Sequence, residues 1–81
     1  MQMIYNSPNY CVVEFTDAEG SHGGFEIMDK SARREIFLGG ALASRFRDQV
    51  NELIAGEPST EEVDDYLSQF QGLMQQPLTL H

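Results

Sequence analysis

The chain has one cysteine, two histidines and five bases among its 81 residues. Each scarcity closes off some chemistry. With Cys11 alone, no intrachain disulfide can form, and a reducing compartment is the natural setting. His22, His81 and one thiol offer no spacing that would hold a transition metal. The composition permits a single nucleophile–base pairing, Cys11 with either histidine. Cys11 lies in a β pattern, on the face read as core, where a thiol is a small inert hydrophobe. No catalytic residue, metal ligand or cofactor is therefore assigned. Apolar runs are a few residues long, against the ~20 needed to span a bilayer. The first residues lack the charged start and apolar stretch of a signal peptide. One cytoplasmic domain over residues 1–81, not membrane-bound, is expected.

Bases are absent from most of the chain. Residues 1–29 carry five acids and no base, residues 48–81 seven acids and no base. All five bases fall between Lys30 and Arg47, where Glu35 is the one acid. The net charge of −8 opposes general binding to a phosphate backbone, so no nucleic-acid partner is expected.

What is present reads as a small sheet followed by helices. Met1–Tyr5 alternates, with Met1, Met3 and Tyr5 on one side. Asn6-Ser7-Pro8-Asn9 is a turn. Tyr10–Thr16 is a β-branched and aromatic strand, with Cys11, Val13 and Phe15 as its expected core face. A polar loop over 17–24 precedes a strand at Phe25–Asp29. Asp29-Lys30-Ser31-Ala32 turns the chain into a strand at Arg33–Leu38. The rival reading, a helix from Ser31 to Ile54, must place Gly39-Gly40 in its interior at roughly 1 kcal/mol each.

From Ala41 the period becomes 3.6, with Leu42, Phe46, Val50, Leu53 and Ile54 on one stripe. Gly56 is expected to end this helix in the left-handed conformation. Ser59-Thr60-Glu61-Glu62 is a capping box. Val63, Tyr66, Leu67, Phe70, Leu73 and Met74 then share a helix face, with the glutamines at 69, 71, 75 and 76 on the solvated side. Leu78–His81 is expected to be extended. The fold class is α+β: an antiparallel sheet of three or four strands, then two antiparallel helices packed on one face.

The basic segment is the candidate site. Lys30, Arg33, Arg34, Arg45 and Arg47 flank Gly39-Gly40, which precedes a helix start. Free amides and arginines there suit an anion or an acidic partner. No phosphate-loop pattern supports it. The competing reading pairs these bases internally: Arg45 with Asp48 or Glu52, the strand arginines with Glu26 and Asp29. The loop from Asp17 misses the calcium template, with His22 at its sixth position and Met28 at its twelfth. The acids at Glu57, Glu61, Glu62, Asp64 and Asp65 suit a helix start and its solvated face. Asp64 and Asp65 are adjacent on a helix and diverge, so they form no acid–base pair. A leftover apolar sheet face, with Tyr10 and Val12, is a candidate partner or dimer surface.

Met1–Ser7, Gly23–Lys30, Ala32–Leu38, Gly40–Ala43 and Gln75–His81 together resemble a family of small uncharacterised β-proteobacterial proteins, one of the domain-of-unknown-function families. The resemblance implies a free-standing bacterial protein of this length. It carries no activity, cofactor or site residue. The functional expectation is a non-enzymatic interaction or regulatory module that binds an unidentified protein or itself. The alternative is a sensor or minor enzyme for a small anion at Gly39-Gly40 and the arginines.

Overall fold

The computed structural model describes residues 2–16, 23–74 and 76–77. Four strands come first: β1 (Gln2–Asn6), β2 (Tyr10–Thr16), β3 (Gly23–Asp29) and β4 (Arg34–Gly39). Helices α1 (Gly40–Ala55) and α2 (Thr60–Ser68) follow, then a 3-10 turn at Gln71–Leu73 and a two-residue strand β5 (Gln76–Pro77). The sheet order is β1-β2-β3-β4-β5, each neighbour antiparallel. Both helices cover one face, giving the expected α+β arrangement. Most of the loop read over 17–24, the calcium-loop test with it, and the extended segment at 78–81 lie outside the described residues.

Strand alternation places successive side chains on opposite faces. Val12 opposes Ile27, which opposes Ile36; Glu14 opposes Phe25, which opposes Leu38. This row meets the helices. The core is Tyr10, Val12, Phe25, Ile27 and Leu38 from the sheet with Ala43, Phe46, Leu67 and Met74 from beyond it. Phe46 is its hub: its ring lies 4.9 Å from that of Phe25 and 5.6 Å from that of Phe70.

The core face of β2 is thus the Tyr10–Val12 face, not the Cys11 face expected from the strand alone. Both faces of β2 are apolar, so β2 in isolation does not decide. Its pairing with Ile27 and Phe25 does, and Gln71 meets the Tyr10 hydroxyl that this choice buries. Gln71, expected to be solvated, also donates to Asp29 Oδ2 at 3.0 Å. A register shift between Met3 and Tyr5 gives another departure. Met3 opposes Val13 and Tyr5 opposes Val12, so the two point to opposite faces.

On α1 the buried stripe is shifted. Ala43 and Phe46 are buried, whereas Leu42 and Ile54 are exposed. Gly56 has φ −86°, and the left-handed residue is Glu57 at φ +52°. Ser59 caps α2 as expected, accepting from the Glu62 amide at 3.2 Å. That helix stops at Ser68, well short of the periodic pattern. The chain tightens at Gln71-Gly72-Leu73, so Leu73 turns outward and Met74 inward. Gly72 favours this break, because glycine costs a helix interior about 1 kcal/mol.

Candidate functional site: the helix-free sheet face

The residues that alternate away from the core line the other face of the sheet. Met3 from β1 stands beside Cys11, Val13 and Phe15 from β2, then Glu26 and Met28 from β3, and Glu35 and Phe37 from β4. None of them belongs to the core under the helices. Met3 and Phe37 are each more than half exposed, at 57% and 56%. Exposed aromatic and thioether side chains on one sheet face form a surface of the kind that partners cover.

Glycines shape this face. A Cβ on Gly24 would lie 2.5 Å from Phe37 Cζ and 2.6 Å from the Leu38 carbonyl oxygen. A Cβ on Gly39 would lie 3.0 Å from Phe37 Cε1. The Phe37 ring therefore lies flat across two glycines and reaches Phe15, with centroids 6.1 Å apart. Gly39 of the glycine pair has a packing role here, and Gly40 supplies a positive φ of 59° at the start of α1.

Within this apolar surround sits Glu35, 7% exposed, with Oε2 lacking a hydrogen-bond partner among the described residues. It opposes Met28 across the strand pair, with Glu26 at the diagonal position. A buried acceptor left unsatisfied costs roughly 1–3 kcal/mol. Cys11 opposes Met28 on the other side. Burial raises the Cys11 thiol above its ordinary pKa, Lys30 opposing and Glu26 reinforcing the shift, so it stays protonated.

The basic residues do not gather at the glycine pair. Lys30 donates to Asn6 Oδ1 and to the Ser7 carbonyl. Arg34 donates to the Met74 carbonyl at 3.4 Å. Arg47 pairs with Glu14 at 3.1 Å and lies over the Phe25 ring at 5.2 Å. Arg33, at φ +56°, and Arg45 are exposed. Arg34 opens β4 and Gly39 closes it, so at ~3.3 Å per residue the strand holds them roughly 17 Å apart, with Arg33 in the turn before it. Internal pairing takes partners other than those the spacing offered. An open cleft of about 550 Å³ does border Arg34 and Ser31. Asp29 also lines it, buried and accepting from Ser31 N and Oγ, Ala32 N and Gln71 Nε2, and its negative charge opposes an anion there.

Asp64, read as solvated helix surface, is instead a tie point. Its Oδ1 accepts from Tyr5 and Ser7 hydroxyls, each at 2.8 Å, and its Oδ2 from Asn9 Nδ2 at 3.0 Å. Burial pushes the carboxyl upward, but the bonds from Asn9, Tyr5 and Ser7 outweigh it and hold the pKa below the usual aspartate value. Tyr5 moves the other way, raised by burial and then by Asp64. Among the described residues this cluster holds no imidazole or free base, and it fastens β1 and the β1–β2 turn to α2. Nothing in the local pattern of either segment announces such a long-range tie.

Among the described residues no group of three histidine, cysteine or acidic side chains could hold a metal ion, and no helix is long and apolar enough to cross a membrane. No solved structure matches the chain. A Burkholderia thailandensis protein, BTH_I0359, is 61% identical, with all of both chains covered. The profile of a family described as protein of unknown function (DUF3567) matches residues 1–81. The chain belongs to that uncharacterised family of small bacterial proteins, DUF3567.

Proposed function

We propose that this protein is a non-enzymatic interaction module that docks a protein partner on the helix-free face of its sheet. The carrying observation is that Met3 and Phe37 stand more than half exposed on a largely apolar face that no described helix covers, although Cys11, Val13 and Glu35 between them are buried. The buried, protonated Cys11 and the tie made by Asp64 supply no reacting group, which favours binding over catalysis. We read the 81 residues as one cytoplasmic unit that does not bind nucleic acid, on the strength of the net charge of −8 and the dispersed arginines. The anion reading at Gly39-Gly40 has less support, since β4 separates that turn from Arg33 and Arg34.

Affinity capture from the native host, run side by side with wild type and Phe37→Ser, tests this. The expected result is a specific partner retained by wild type and lost by the variant, with both proteins equally folded by circular dichroism. An identical set of captured proteins from the two baits would overturn the reading. Inorganic phosphate titration, followed at the amides of Gly39, Gly40 and Ala41, separates the anion alternative.

A further inference from the structure

We propose that the helix-free face receives a partner segment carrying one arginine or lysine between apolar side chains, with its cationic head against Glu35. This rests on the reading of that face as a docking surface and adds the chemistry of what docks there. Glu35 is 7% exposed, and its Oε2 has no hydrogen-bond partner among the described residues. Once the Glu35 side chain turns outward from its buried position, a donor brought by a partner can satisfy this oxygen, and a charged donor makes the strongest such bond. The surroundings dictate what accompanies that donor. Met28 lies opposite Glu35, and Phe37 is two residues along the same strand face. These contacts take apolar neighbours on each side of the base, and the alternating pattern of an extended segment provides them.

The charge layout selects against a second copy. Among the described residues, the strand positions of this face include the acids Glu26 and Glu35 and no base. Two copies stacked face to face would bring the two Glu35 side chains to a surface whose described strand positions offer them no base. Lys30, at the end of the sheet, is already held by Asn6 and Ser7. A small free polyamine would satisfy Glu35 but leave Phe37 and Met3 uncovered. A basic, otherwise apolar segment satisfies both.

The test pans a random displayed-peptide library on the intact protein and maps each binder by amide shifts at Glu26, Met28, Glu35 and Phe37. The expected binders on this face carry an arginine or lysine flanked by apolar residues and bind Glu35→Gln about tenfold or more weakly. Binders that map to the face without a base, or that hold Glu35→Gln as tightly as wild type, overturn the role of Glu35 and leave the docking face standing. Failure of every binder to map there overturns both. Sedimentation showing a concentration-dependent dimer that Phe37→Ser abolishes would assign the face to a second copy and overturn the inference. An independent arm uses Glu35→Met: an unsatisfied carboxylate predicts a melting temperature higher by about 4–8 °C, whereas a fall, or loss of the fold, would reveal an internal role for Glu35 and overturn it.

Discussion

Two single residues carry more of this structure than their chemistry suggests. Asp64 gathers Tyr5, Ser7 and Asn9 from the first turn onto the second helix. Asp64→Ala leaves those donors without their acceptor and is expected to lower stability by about 1–3 kcal/mol in urea unfolding at neutral pH. Its folded pKa lies below the ordinary 3.8. The contribution is therefore complete above that value and is lost as pH falls through the lower folded one. The gap between wild type and Asp64→Ala should accordingly be full at pH 6 and close in strong acid. Phe37 is the second such residue, since its ring overlaps the place a Cβ would take at Gly24 and closely approaches the one at Gly39. Gly39→Ala should destabilise by at most about 1 kcal/mol, below the usual cost of overpacking a core, because the exposed Phe37 ring can shift, and Phe37→Ala should relieve it in the double variant. Gly24→Ala should not be rescued in this way, because the Leu38 carbonyl oxygen also lies 2.6 Å from the added carbon. Thermal melts of the three single and two double variants separate the two cases.

At the level of elements, local chemistry did most of the work. Ser59 accepts from Glu62 N where the capping pattern places it. Ser59→Ala is expected to cost about 1 kcal/mol, seen as faster amide exchange in the first turn of α2. The order of strands and helices was legible for the same reason: turn residues, a change of period at Ala41 and a capping serine are local signals. The sidedness of the strands was not. Cys11-Val13-Phe15 and Tyr10-Val12 are both apolar rows, and only pairing with Phe25 and Ile27 shows which one meets the helices. The irregularity between Met3 and Tyr5 likewise left no mark in an alternating stretch, yet it sends those residues to opposite faces. The candidate face was therefore readable as a kind of surface, and its residues were assigned to the wrong side. Glu35 was missed as a site residue because, in sequence, a glutamate among arginines looks paired. Strand alternation puts Arg34 on the other face of β4, where it bonds the Met74 carbonyl.

For the whole molecule, an acidic chain concentrates its few bases in one segment and then disperses them by folding. Arg47 goes to Glu14, Lys30 to the first turn and Arg34 to the chain beyond α2. The bases are thus spent largely on holding remote segments together, and a sheet face is left to recruit. That layout has a hazard, because β1 lies at an edge of the sheet with no further strand paired to it among the described residues. The shifted register at Met3–Tyr5 is the safeguard: a strand with an extra residue cannot template a regular stack of further strands. Deleting Ile4 would straighten that edge while keeping Met3 and Tyr5 opposite Val13 and Val12. The shortened protein is expected to form thioflavin-positive fibrils at concentrations where wild type stays dispersed, and equal lag times for the two would show that the irregularity has no such protective part. On this view a single surplus residue in the first strand separates a protein that docks by its face from one that polymerises by its edge.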